Sequence, residues 1–182
     1  MNVYEFSVKN AVGKYVSLEQ YKGMVSLIVN TASKDCYAEQ LTGLEELYKR
    51  YGEKGFMLLL FPCNQLYGQE PDSDDVIQNI YQSAFGVTAP IFAKIDVNGA
   101  VSDRLYRFLT ESKRFDSGSV VTEDMKKLYM EIDRYYHTSS DIKWNFTKFL
   151  IGRDGKVIKR LEPDITPEMM DEDILAALRI CR

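Results

Sequence analysis

Histidine is almost missing from this chain: His137 is the only one among 182 residues. The cysteines are three, Cys36, Cys63 and Cys181, with no Cys-x-x-Cys pair. The usual ligand sets of a zinc site or a histidine-based triad therefore cannot be assembled, and His137 reads as a surface residue. An odd cysteine count without framework spacing also excludes a disulfide-stapled secreted fold and favours the reducing cytoplasm. No stretch approaches the ~20 apolar residues of a spanning helix, and the charged Met1–Asn10 segment lacks the apolar core of a signal peptide, so a soluble protein without a membrane partner is expected. Basic excess is absent too: 23 Lys and Arg stand against 27 Asp and Glu, with both signs interspersed. Nucleic acid is thereby excluded as a partner. The 12 tyrosines are dispersed and form no stacking ladder for single strands.

The length and the 45% hydrophobic content fit a single domain spanning residues 1–182. Alternation over Val3–Val8, a turn at Gly13 and Val16-Ser-Leu predict an N-terminal β-hairpin. Met24–Asn30 and Phe56–Phe61 are short apolar runs of the kind buried on both sheet faces. Between them, Leu41, Leu44, Tyr48 and Tyr51 recur at helical spacing, predicting a helix over 36–52. Strand, helix, strand implies a parallel pair with a right-handed crossover, hence an α/β fold. Further helices are predicted from Asp72 to Phe85, from Val101 to Leu109 and from Pro167 to Ile180, and a strand over Pro90–Val97. Phe149–Ile151 and Val157–Leu161 straddle Asp154-Gly155, a tight-turn dipeptide. Residues 111–141 form an extra, charged and aromatic segment, with Met125, Leu128, Tyr129, Ile132 and Tyr136 on one helical face.

Cys36 follows a buried strand and opens the predicted helix, where free backbone amides and the helix dipole would stabilise a thiolate. Asp35 opposes this, because an adjacent carboxylate disfavours a second negative charge, while Lys34 offsets it in part. Cys63, at the end of the second strand, reads as a packed core residue. Cys181 reads as an idle terminal thiol. Lys113, Arg114, Lys126 and Lys127 read as solvated charges, with attraction of an acidic reductant as the functional alternative.

Two clusters, Phe61-Pro-Cys-Asn-Gln-Leu-Tyr-Gly-Gln-Glu-Pro71 and Asp141-Ile-Lys-Trp-Asn-Phe-Thr-Lys-Phe-Leu-Ile-Gly-Arg-Asp-Gly155, together with Asn30-Thr-Ala-Ser-Lys34, resemble the glutathione peroxidases. The resemblance covers nearly the whole chain. It implies a thioredoxin-like fold, with a central mixed sheet flanked by helices and an N-terminal hairpin. It also implies a catalytic tetrad of Cys36, Gln69, Trp144 and Asn145. The ungapped match places Asp35 on the nucleophile position and Cys36 one residue later, so a helix start shifted by one residue is needed to bring Cys36 to the reactive point. In this reading the Cys36 thiolate attacks hydrogen peroxide or a small organic hydroperoxide and becomes a sulfenic acid, which glutathione or a thioredoxin-type protein restores; no cofactor is required. The helix before Gly86-Val-Thr-Ala-Pro90 lacks the resolving cysteine of thioredoxin-dependent members and carries Tyr81 near that position. The 111–141 segment lies where some members carry a loop used in oligomer contacts, which keeps a homo-oligomer open. The competing reading is a catalytically silent thioredoxin-like binding domain, with Asp35 marking loss of the nucleophile. A dithiol reductase is disfavoured by the missing Cys-x-x-Cys.

Overall fold

The computed structural model describes residues 1–116 and 122–180; Cys181 lies outside them. Its centre is a four-stranded mixed sheet whose strands lie in the order β4 (Phe56–Pro62), β3 (Val25–Thr31), β5 (Lys148–Ile151) and β6 (Val157–Leu161). Strand β3 runs parallel to β4, with Val25 opposite Phe56 and Thr31 opposite Pro62. Strand β5 is antiparallel to β3, and β6 is antiparallel to β5. The crossover between β3 and β4 contains helix α1 (Gln40–Tyr51), as the strand-helix-strand pattern requires. The β5–β6 turn uses Gly155 at φ 77°, where a side chain would strike the ring of Tyr4 at 2.7 Å.

Period-two alternation assigns the β3 side chains to two faces. Val25, Leu27 and Val29 meet α1, α2 (Asp74–Phe85) and α5 (Asp171–Arg179) through Leu41, Leu44, Ile77 and Ile174. Ile28 faces the other way, into a cluster with Leu59, Phe61 and Phe149 from the sheet, Leu105, Tyr106 and Leu109 from α3 (Arg104–Ser112), and Phe6 and Val8 from the N-terminal segment. The extra segment contains α4 (Glu123–Ile132), begun by the Thr122 hydroxyl, which accepts the Met125 amide. Among the described residues no helix is long and apolar enough to cross a membrane.

Three elements differ from expectation. The N-terminal hairpin is short, β1 (Ser7–Lys9) against β2 (Tyr15–Ser17), because Asn2 and Glu5 form a reciprocal cap that winds Val3–Glu5 into a 3-10 turn. Pro90–Val97 is not a strand; it makes only isolated bridges. Its bonds alternate between β4 (Phe92 to Leu60, Ile95 to Pro62) and the hairpin (Ala93 to Lys9), so no continuous ladder can form. Helix α1 starts at Gln40 rather than Cys36, for a reason that lies in the site itself.

Candidate functional site

The chain leaves β3 at Thr31 and passes through consecutive tight turns before α1. Asp35 closes the first of them with its amide on the Ala32 carbonyl and organises the next. Its Oδ1 accepts the Tyr37 amide at 2.7 Å, and its carbonyl accepts the Ala38 amide at 3.0 Å. A short carboxylate two residues ahead of a free amide is a good cap and cysteine is a poor one, so the turn closes on Asp35. Cys36 then falls inside the turn, four residues before the helix. The dipole of a first helical turn therefore does not act on it directly.

The same choice decides which side chain points inward. Asp35 is 6% exposed, whereas Cys36 is exposed at the rim with its Sγ donating to Asp35 Oδ1 at 3.6 Å. Of the two residues, Asp35 is the one that the polar cluster faces in space: Asn145 Nδ2 donates to Asp35 Oδ2 at 3.3 Å and to Gln69 Oε1 at 2.9 Å. Asn145 is itself oriented from β3, since Asn30 Nδ2 donates to its Oδ1 at 3.3 Å and the Phe146 amide donates to the Asn30 carbonyl at 2.7 Å. Every polar atom of the Asn145 amide is thus directed.

Three left-handed residues sit beside this cluster. Tyr67 (φ 60°) and Gly68 (φ 63°) turn the chain into Gln69, and Phe146 (φ 64°), fully buried, turns it away from Asn145. Left-handed backbone at tyrosine and phenylalanine is strained and persists only where surrounding contacts impose it. For Gln69 those contacts converge on Glu70, which is wholly buried. Its carboxylate accepts the Ser33 amide and hydroxyl at 2.7 Å each and the Tyr81 hydroxyl at 2.7 Å, while the Glu70 amide donates to Asn64. With that proton given to Glu70, the Tyr81 oxygen accepts the Thr31 hydroxyl at 2.9 Å. One buried carboxylate therefore joins the turn after β3, the turn after β4 and helix α2. Tyr81, expected near a resolving position, is instead an anchor with no exposure.

Trp144 completes the site. Its ring is 9% exposed and tilts against Tyr67 with centroids 4.6 Å apart. Among the described residues its buried Nε1–H has no acceptor in good geometry and acts on Asp35 only as a weak additional donor. The residues before it are clamped. Asn98 exchanges two bonds with the Ile142 backbone, and Arg160 donates to the Ser140 and Asp141 carbonyls. Arg160 is held by Glu162 at 2.7 Å, a buried pair that also takes the Tyr129 hydroxyl of α4. Through Phe115, Met125 and Tyr129 the extra segment packs on Trp144, so it forms part of the wall of the site. Lys126 and Lys127 pair with Glu123 and Asp124 one turn back, and His137 is exposed.

Electrostatics follow from this arrangement. Burial raises the Asp35 pKa, against the Tyr37 amide, Asn145, Cys36 and Trp144, which pull it down. Burial, and then the charge and hydrogen bond of Asp35, raise the Cys36 thiol, while the amides of Cys36 and Tyr37 counteract them. Burial pushes Tyr37 up to about 12. Cys63 is wholly buried and its thiol is pushed to about 11 by desolvation.

The structure thus brings together Gln69, Trp144 and Asn145, puts Cys36 at their edge, and seats Asp35 among them. Sequence reasoning missed Glu70, Tyr67 and the inward orientation of Asp35. The pattern Ser-x-Asp-x-Tyr, a short acid preceding unpaired amides, is the one signal that could have revealed the cap.

A family model described as glutathione peroxidase matches residues 3–110. The chain is 41% identical over 178 residues to a glutathione peroxidase homolog of Neisseria meningitidis, covering 98% of this chain and all of that one. It is 42% identical over 174 residues to a glutathione peroxidase of Lactococcus lactis subsp. cremoris, covering 96% and 98%. The crystal structure of T. cruzi GPX1 superposes with a TM-score of 0.72 at 33% identity, over 98% of this chain and 97% of that one. A thioredoxin-family thiol:disulfide interchange protein from Chlorobium tepidum shares the fold at 15% identity with a TM-score of 0.59, so the fold is thioredoxin-like.

Proposed function

The chain belongs to the glutathione peroxidase family of peroxide-reducing oxidoreductases, and from that premise we propose that it is a thiol peroxidase whose nucleophile is Cys36. The sulfur attacks one peroxide oxygen, the O–O bond breaks, and Cys36 becomes a sulfenic acid as water or an alcohol leaves. An external thiol, from glutathione or a thioredoxin-type protein, then condenses with the sulfenic acid to a mixed disulfide. A second thiol releases Cys36. An external reductant is favoured because α2 carries no cysteine and Cys63 is sealed in the core.

The observation that carries this reading is the exposed Cys36 Sγ in contact with a buried, fixed carboxylate, beside the unsatisfied indole N–H of Trp144. That N–H and the amide nitrogen of Gln69, whose Oε1 is held by Asn145, are donors suited to a peroxide oxygen gathering negative charge. The test is dimedone trapping of the reduced protein after brief exposure to stoichiometric hydrogen peroxide, read by peptide mass spectrometry. Selective adduct at Cys36, absent in Cys36→Ser, is the expected result. Equal or negligible labelling of all cysteines would overturn it and leave a thioredoxin-like binding domain.

A further inference from the structure

A thiol whose pKa is raised is a poor nucleophile unless its proton leaves as the sulfur attacks. The proton has one visible destination. Cys36 Sγ already donates to Asp35 Oδ1, and the carboxylate cannot swing away, because the Tyr37 amide fixes Oδ1 and Asn145 fixes Oδ2. Nucleophile, acceptor and orienting amide stand in the order that activated nucleophiles require. We propose that Asp35 is a catalytic residue that takes the Cys36 proton during attack on the peroxide and returns it to the leaving oxygen. This deepens the peroxidase reading and rests on it.

The step balances. The Cys36 S–H proton passes to Asp35 Oδ1 as the sulfur lone pair forms the S–O bond and the O–O bond breaks. The displaced oxygen takes the proton back from the Asp35 carboxylic acid, giving water from hydrogen peroxide or an alcohol from an alkyl hydroperoxide. The carboxylate is regenerated, and the sulfur is oxidised at the expense of the peroxide. Burial suits Asp35 to this exchange, since raising its pKa brings it nearer that of the groups it serves.

A merely structural Asp35, capping the turn and repelling the thiolate, predicts the opposite sign for its removal. Asp35→Asn keeps an acceptor for the Tyr37 amide but neither repels a thiolate nor accepts a proton. Two reagents separate the cases: hydrogen peroxide, whose leaving oxygen needs a proton, and iodoacetamide, whose leaving iodide does not. The measurement is the rate of Cys36 oxidation, by dimedone trapping, and of Cys36 alkylation, both from pH 5 to 9, in the wild type and Asp35→Asn. The expected result is oxidation slowed at least ~10-fold at pH 7 in Asp35→Asn, within the range of general acid-base effects. Alkylation at the same pH should be slowed less than oxidation, because it loses the proton acceptor but needs no proton returned to its leaving group. If both rates rise together in Asp35→Asn, Asp35 is only a neighbouring charge and the proposal falls. If Asp35→Asn does not fold, Asp35→Ser retains a capping oxygen, and added formate should restore its oxidation rate; no restoration in that folded variant overturns the proposal. Absence of Cys36 trapping in the wild type overturns the peroxidase reading itself, and this proposal with it.

Discussion

Two cysteines stand at the carboxyl ends of two neighbouring parallel strands, and they live in opposite worlds. Cys36 follows β3, lies exposed, and touches a carboxylate that is oriented from two sides. Cys63 follows β4, has no exposure, and packs with Phe61, Phe92 and Tyr106, which drives its thiol to about 11. Strand-end position is common to both, so position alone does not make a thiol reactive. What differs is the turn. The first turn folds around a capping acid that pushes the following sulfur outward, and the second tucks its sulfur under the aromatic layer.

The sharpest way to break this contrast is to remove each sulfur in turn. Cys36→Ser should cut peroxide consumption by at least ~100-fold, the scale of losing an activated nucleophile, in a reductant-coupled assay. Cys63→Ser should leave consumption near wild type but lower unfolding stability by ~1–3 kcal/mol in urea, because it buries a hydroxyl against the apolar rings of Phe61 and Phe92. Equal losses of turnover in the two variants would erase the distinction.

The contrast can next be sharpened by moving the sulfur inward. Asp35→Cys places a thiol where Asn145 and the Tyr37 amide donate. Amide donors lower a thiol pKa, and the change also removes the carboxylate that raises that of Cys36. Alkylation at pH 7 in Asp35→Cys, with Cys36 also changed to Ser, should exceed that of wild-type Cys36 by ~10-fold. A slower reaction would mean that the donor cluster does not stabilise a thiolate.

Titration separates the two native thiols. The folded pKa of Cys36 is raised, so its thiolate is scarce at neutral pH and alkylation should climb through and beyond the ordinary thiol range. Native Cys63 should remain unlabelled over the same range until urea unfolds the chain. A Cys36 midpoint below an ordinary thiol would contradict the Asp35 contact.

The smallest expected effect concerns the support beneath the site. Tyr81→Phe deletes the hydroxyl shared by Glu70 and Thr31 and should cost ~1–2 kcal/mol of unfolding stability, as for a buried hydrogen bond to a charged group. Peroxide turnover should fall less than for Cys36→Ser. No measurable stability change would remove Tyr81 as an anchor.

The sheet was largely legible because its signals are local and strong. Met24–Asn30 has the unbroken apolar character of a central strand, Asp154-Gly155 announces its hairpin, and the tyrosine and leucine spacing reveals α1. Pro90–Val97 misled because its bonding partners alternate between distant segments, which no window of sequence displays. In the site, Gln69, Trp144 and Asn145 could be named from their clusters, and the structure brings them together. The inward turn of Asp35 was hidden by a one-residue competition between a capping acid and a cysteine. Glu70 was invisible for a different reason: a glutamate is ordinarily solvated, and its burial depends on Ser33 and Tyr81 arriving from elsewhere.

Glu70 has a kinetic consequence as well. The two site turns and α2 are fastened to one buried carboxylate. On the proposed mechanism, oxidation of Cys36 should therefore need no closing motion, and added viscogen should leave that half-reaction unchanged while slowing the encounter with a protein-sized reductant.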